Sequence, residues 1–522
     1  MIDKDFTLKC FRFRKQEIVL IIIFSLLCFA YYQWTWSTIL AGPGGDNAVY
    51  LLTAKYFSPY SEYSSVASYF AHVSPYPPLY PLMLALLGGG ESLLVAHLIT
   101  TSFLLLSFLI FYYWLTLEKL TLELSLLVVL VFSILPGIYM QALSVHSENL
   151  YILLTLLSLL SVSIFEQKQE QRWLWIAVFA IGMASLTRSA GVTLIAAFVL
   201  YLWSCNQQKK WMFSLCSVIP FILWKIFGVQ AGISYTENVL KLYSAAPIET
   251  LISQLSIEMK ALWHGWQTIF SLTQTGSIFL LAVALISLLG TGLRILQKKI
   301  DGYYVLCYVL LILVWPFPAE AQRFTLVITP ILLFHGVYFI SHVQISRLKS
   351  YQSWVLPVLF LSLITIQVLP DLVLAAQRFQ TKLPEKLQAF RHHSMWYRTD
   401  FQSAYDYIDS FRAIDKTMIE LSTQVAEDQC IFAVKPSIMA YHSNRMSKSP
   451  PIASVSARVF DREIENDGCQ YFYFSSISAP SFHTQFYPMD RLENRVEIVS
   501  VGYVDKHEDK IVGMLGVLKE TD

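Results

Sequence analysis

Residues 18–36 read IVLIIIFSLLCFAYYQWTW, a run without a single charge. A membrane-spanning helix needs about 20 apolar residues, so the run is long enough to cross a bilayer. Lys4, Lys9, Arg12, Arg14 and Lys15 precede it. A basic flank before an apolar run also opens secretory leaders. This one is too long and too aromatic, and no small-residue cleavage site follows it. It is predicted to be a retained first transmembrane helix. Directly after it comes GGDNAVY, residues 44–50, which sets Asp46 in a glycine-rich turn at the water boundary. A turn or helix-cap role explains such an aspartate. So does a catalytic base facing a substrate that lives in the lipid.

The rest of the chain extends the membrane reading. The 522 residues are 55% hydrophobic and 14% charged, against about 25% charged in an ordinary soluble domain. The deficit is uneven. From Asp371 onward, 17 Lys and Arg and 21 Asp and Glu make 38 charges in 152 residues; the first 370 residues hold 37. Residues 1–370 are therefore expected to form a membrane domain and 371–522 a soluble one. The net charge of +1 says nothing about nucleic acid; no basic patch with interleaved aromatics is visible, so no nucleic-acid partner is expected. No CxxC, HExxH, P-loop or GxGxxG pattern occurs.

Apolar runs predict about 11 spans: 18–40, 92–115, 124–142, 147–165, 173–187, 189–203, 211–230, 274–296, 303–317, 323–341 and 351–370. The distribution of basic residues orients them. One side collects the five amino-terminal residues with Lys119, Lys168, Arg172, Lys209, Lys210, Arg294, Lys298, Lys299, Arg347 and Lys349. The other holds Lys55, Lys241, Lys260, Arg188, Lys225 and Arg323. The richer side is the cytoplasm, and an odd number of spans places the tail outside. The expected architecture is thus mainly α: a polytopic helical membrane domain with a C-terminal extracytoplasmic α/β domain, in the plasma (inner) membrane of a bacterium.

Two outer segments are long, 41–91 and 231–273. In the second, Leu251, Leu255, Met259, Leu262 and Trp266 recur at helical spacing with Glu258 and Lys260 off that line. The pattern suits a helix on the membrane surface with Trp263 and Trp266 near headgroups, and equally a loop helix packed on the protein. In the tail, AYDYIDSFRAID is predicted helical, while CIFAVKP and CQYFYFSS have the β-branched and aromatic content of strands. Cys430 and Cys469 open those two strands. If the strands are neighbours a bridge can form in an oxidising exterior; two free thiols are the other reading.

Charges inside a bilayer cost several kcal/mol and mark function by default. The six to explain are Asp46, Glu148, Arg188, Lys225, Glu320 and Arg323, all near the outer edge on the predicted topology. Each has a bland account. Glu148 opens a span, where the helix dipole favours a carboxylate. Arg188 and Lys225 sit at span ends, where long basic side chains snorkel to the interface. Arg323 can pair with Glu320 or Glu148. Tyr76 and Tyr80, in the rigid Pro75-Tyr76-Pro77-Pro78-Leu79-Tyr80-Pro81 stretch, can be interfacial anchors. A transporter would place polar groups at midplane between repeated halves, and no repeat is visible.

An aspartate in the first outer loop, then PPLYPLMLAL (77–86), SENLYILLTLLSL (147–159), SLTRSAGVTLI (185–195) and AQRFTLVITPILL (321–333) follow in one order. That ordered set resembles the GT-C superfamily of integral-membrane glycosyltransferases that use polyprenyl-phosphate sugars. Within it, the likeness is to the branch of protein O-mannosyltransferases and the lipid A aminoarabinose transferase. The resemblance covers roughly residues 1–370. It implies Asp46 as general base, Glu148 and Arg188 as residues shaping the site, and Arg323 as a partner of the donor phosphate. Arg188 and Lys225 are further candidates for that phosphate, and Tyr76, Tyr80 and Glu320 for shaping the site. Protein mannosyltransferases often show Asp-Glu where this chain has Asp46-Asn47, so no second adjacent carboxylate is present to hold a divalent ion. The implied reaction needs no cofactor and no metal: a sugar passes from a polyprenyl phosphate, with inversion, to a hydroxyl of a lipid, envelope glycan or protein. A lipid-linked glycan transporter, or a non-catalytic subunit of the same fold, is the competing reading.

Overall fold

The computed structural model describes residues 15–40, 45–228, 247–272, 278–315, 317–342, 354–397, 400–451, 456–475, 489–504 and 507–519. Among them, seven helices are long and apolar enough to cross a membrane, or eight if one bent pair is counted as a span. The 11 predicted spans each fall on a helix or on that pair, but Gln171–Thr187, Gly191–Ser204 and Ile300–Leu313 are shorter than the helices counted as long enough to cross. Lys241, Arg347, Lys349 and the basic residues before Lys15 lie outside the described residues.

The long helices differ sharply in burial. Glu148–Lys168 and the stretch Pro318–His342 are 78% buried and form the centre of the bundle, whereas Glu17–Thr35 and Lys210–Phe227 are 11% buried. The outer pair exposes Ile18, Ile22, Leu26 and Phe29, and Leu215, Leu223 and Phe227. Such a belt of bare apolar side chains is stable against lipid and not against water. In the interior, helices approach closely where side chains vanish. A Cβ on Gly290 would stand 2.0 Å from the His335 carbonyl oxygen, so only glycine lets Ile278–Leu296 lie against Ala321–His342.

Several expectations need adjusting. The span predicted over 124–142 is broken into Leu122–Ile134 and Pro136–Ala142, inclined at 63°. Pro136 lacks the N–H that would continue the first helix, and Leu135 before it is extended. The last predicted span continues to Gln380 as the helix Val355–Gln380, so the change of composition at Asp371 falls inside a helix. Segment 41–91 is not a loop: it folds into Asp46–Phe57, Ser65–Val73 and Leu79–Leu86.

The helix Pro247–Phe270 is oriented differently from the apolar line in its sequence. Glu258 and Gln254 are buried, Met259 and Ile252 are exposed, and Trp266 is buried with its indole donating to the Leu280 carbonyl at 3.1 Å. Gln254 Nε2 donates to the Trp315 carbonyl at 2.8 Å and to Glu258 at 2.9 Å. The first half of the helix thus turns Gln254 and Glu258 to the protein and Ile252, Ile257 and Met259 outward, while its last turns bury Trp266, Ile269 and Phe270.

The tail carries a five-stranded sheet in the order β2-β1-β3-β5-β4. The strands are β1 Cys430–Ala433, β2 Met446–Lys448, β3 Tyr471–Ser475, β4 Val496–Val504 and β5 His507–Leu518. β1 runs parallel to β2 and β3, and β5 is antiparallel to β3 and β4. The predicted helix lies within Phe401–Ser422, capped by the Asp400 carboxylate on the Ser403 N–H at 3.0 Å. β1 and β3 are neighbours, and Cys430 and Cys469 are joined as a disulfide with Cα atoms 4.4 Å apart. Of the two readings of these thiols, the structure has the bridge.

Candidate functional site

Asp46 is the first residue of the helix Asp46–Phe57, with Gly45 as its cap. The Gly45 carbonyl accepts the Val49 N–H at 3.0 Å, closing the first turn. The bland account of Asp46 is therefore geometrically true: a carboxylate stands at a helix start. Its side chain does more. Tyr76 Oη donates to Asp46 Oδ1 at 2.7 Å, and Arg323 Nη1 donates to Oδ2 at 2.7 Å. The prolines around Tyr76 hold that phenol over the helix start, and Pro78 caps the helix Leu79–Leu86. Tyr50 packs 4.9 Å from the Tyr76 ring and edge-on to Tyr80 at 5.0 Å. Tyr80 is fully buried and hydrogen-bonded to Thr100 at 2.7 Å, so it supports the site from below rather than anchoring an interface.

Arg323 gathers the carboxylates. Nη1 also donates to Glu320 at 2.7 Å, and Nε to Glu148 Oε1 at 2.7 Å. Arg188 reaches the same Glu148 oxygen at 2.6 Å and Ser147 Oγ at 3.2 Å. Residues from four distant parts of the chain thus form one cluster: Asp46, Glu148, Arg188, Glu320 and Arg323. It is closed at one end and open at the other. The Glu148 side chain is wholly buried, while Asp46, Glu320 and Arg323 keep 26%, 39% and 20% of theirs accessible. At the closed end, Glu148 Oε2 and Arg188 Nε have no hydrogen-bond partner among the described residues, a costly arrangement for buried ionic atoms.

Burial works to raise the Asp46 carboxyl. The Arg323 charge outweighs it, together with His146 and the Tyr76 hydrogen bond, and the group lies below its ordinary value. His146, absent from the sequence-based candidates, stands beside the cluster and hydrogen-bonds Gln141 at 3.1 Å. Burial, and after it Arg323, brings this imidazole down to about 4 and keeps it neutral.

Lys225 does not join the cluster. It lies on the exposed end of Lys210–Phe227, 4.4 Å from the Trp224 ring centroid. The ring face satisfies the ammonium there, as expected of a snorkelling residue.

A second ionic cluster escaped the sequence-based list. Arg294 is bidentate to Asp301 at 2.7 and 3.0 Å and donates to Glu118 at 2.7 Å. His335 Nε2 lies 2.7 Å from Asp301, Ser163 donates to Glu118 at 2.5 Å, and Lys299 pairs with Glu166. Glu166 follows Glu148 by 18 residues on one helix, about 27 Å at 1.5 Å per residue. The two clusters therefore sit at opposite ends of the bundle. A cavity borders the second, lined by Glu118, Glu166, Arg294 and Lys299. Its charges are already matched to one another, so a hollow alone does not make it the chemical site.

Residues 76–226 match the family described as dolichyl-phosphate-mannose-protein mannosyltransferase. No curated protein matches the chain by sequence. Among solved structures, ArnT from Cupriavidus metallidurans bound to undecaprenyl phosphate is 10% identical, with a TM-score of 0.50 over 95% of this chain and 98% of that one. The apo state of the same ArnT gives 9% identity and a TM-score of 0.51 over the same shares. At such identity the likeness concerns the fold. The family match is thus confined to residues 76–226, while the likeness of fold to ArnT extends over nearly the whole chain.

Proposed function

We propose that the chain transfers one sugar from a polyprenyl phosphate to an acceptor hydroxyl, inverting the anomeric carbon, with Asp46 as the base. One observation carries this reading: a partly accessible carboxylate and a partly accessible guanidinium, 2.7 Å apart, share the open end of an otherwise buried cluster. The acceptor oxygen attacks the anomeric carbon opposite the phosphate. The carbon–oxygen bond to phosphate breaks, the hydroxyl proton passes to Asp46, and the negative charge of the departing phosphate falls to Arg323. Arg323 suits that role because a guanidinium presents paired donors that match phosphate oxygens.

The two roles are coupled through shared donors. Arg323 Nη1 serves both Asp46 and Glu320. A phosphate oxygen taking part of that donation weakens the pull on Asp46 and makes its carboxylate a stronger base. Donor binding thereby prepares proton removal. Glu148 holds Arg188 and Arg323 in place, Tyr76 orients Asp46, and Glu320 and Tyr80 complete the walls. Lys225 has no part in this reading. The undecaprenyl phosphate held by the structurally similar ArnT supports a carrier of that class. The site and the tail are taken to face the outside of a bacterial inner membrane, with the amino terminus in the cytoplasm and a lipid, envelope glycan or protein as acceptor.

Asp46→Asn tests the reading. Removing a positioned base costs about 10²–10⁴-fold in turnover, while binding of a polyprenyl-phosphate sugar persists. The measurement is transfer of labelled sugar by purified protein. Transfer at the normal rate by the variant would remove Asp46 from the mechanism. Wild-type protein that moves the intact lipid-linked sugar across vesicles without cleaving it would make the chain a transporter.

A further inference from the structure

We propose that the C-terminal domain completes this site, with Lys435 providing a third cation that binds the phosphate of the lipid donor. The inference rests on the donor being a polyprenyl phosphate.

Lys435 lies just past β1 and immediately before the helix Pro436–Ser443, whose first turn docks against the start of Asp46–Phe57. Ser437 Oγ donates to the Gly45 carbonyl at 3.0 Å. The fit is tight: a Cβ on Gly45 would stand 2.8 Å from that Oγ and 4.0 Å from Lys435 Cδ. The alkyl stem of Lys435 thus lies over the residue preceding Asp46, with its ammonium two bonds further on. Burial lowers the lysine, while the carboxylates of Asp46 and Glu320 act in the opposite sense and favour its charge.

Charge balance gives the lysine a purpose. Asp46, Glu148 and Glu320 face Arg188 and Arg323, one negative charge in excess. When Asp46 takes the acceptor proton, these five residues become neutral overall. At that moment the phosphodiester, with one negative charge, becomes a monoester carrying up to two. A neutral site does little for charge that develops there; a site with Lys435 added is positive. The lysine comes from a different domain than the arginines, so donor recognition would depend on how the tail is seated.

The test measures binding of undecaprenyl phosphate and of undecaprenol to the full-length protein in nanodiscs. Wild type should prefer the phosphate, and Lys435→Ala should weaken phosphate binding about 10- to 100-fold, the range for hydrogen bonds to charged groups. Undecaprenol binding should stay unchanged, and Lys435→Arg should recover part of the loss. Equal phosphate affinity in Lys435→Ala and wild type would overturn the inference and leave the proposed function standing. So would a full loss reproduced by Ser437→Ala, since the effect would then come from docking. If wild type shows no preference for the phosphate, the carrier reading itself fails and the inference with it.

Discussion

The helix Glu148–Lys168 ends in an ionic cluster on each side, and the two are built to different specifications. Around Glu118 and Glu166, Arg294 and Asp301 are each 2% accessible, and every charge named there has a close opposite. Around Glu148, one guanidinium is divided among three carboxylates, two buried atoms lack a hydrogen bond among the described residues, and three side chains remain partly accessible. Residue types are nearly the same at the two ends. What differs is completeness. A closed network fixes helices against each other; an incomplete and accessible one leaves donors that a ligand can claim.

Substitutions at matched positions test the contrast. The largest effect is expected at the closed end. Arg294→Ala strands Asp301 and Glu118 in the interior, and breaking such a buried network costs about 3–5 kcal/mol. A fall in thermal stability should accompany it, with specific activity per folded molecule unchanged. A variant as stable as wild type would show that the closed network does not hold the bundle.

Arg323→Lys asks the same question at the open end. The charge stays, but three directional donations collapse to those of a compact ammonium. Turnover should fall roughly 10- to 100-fold, with a smaller loss of stability than Arg294→Ala gives. The reverse order of the two stability losses would erase the distinction between brace and site.

The smallest effect concerns pH. The Asp46 carboxyl lies below its ordinary value, so the proposed base stays ionised as the medium is acidified. The acid limb of kcat/KM should therefore fall below the usual aspartate range. The sign follows from linkage: a lowered group keeps its charge until the pH drops through its folded value. Arg323→Lys weakens the directional pull on Asp46 and should move that limb upward. An acid limb near neutrality in the wild type would point to another group as the base.

Much of the membrane domain was legible because hydropathy is local. A run of about 20 apolar residues declares a span whatever surrounds it, and Asp46, Glu148, Arg188, Glu320 and Arg323 stood out because a charge beside such a run is conspicuous. Lys225 was equally conspicuous and lies elsewhere, since periodicity cannot tell which helix ends converge. Arg294 entered the sequence reading only as one of the basic residues that mark the cytoplasmic side; its partner Glu118 lies 176 residues away. Lys435 gave no signal, being a single lysine in a domain of ordinary composition.

The amino-acid sequence by itself determined that this chain crosses a membrane many times, carries a folded tail and places a few charges at helix ends. These follow from transfer energies that each segment has on its own. Tertiary structure alone decided which charges meet: Arg323 is 277 residues from Asp46 and 175 from Glu148, and the tail reaches back 392 residues to Gly45. Contacts of that kind depend on how whole helices pack, and side-chain volumes and close approaches such as that of Gly290 set the packing.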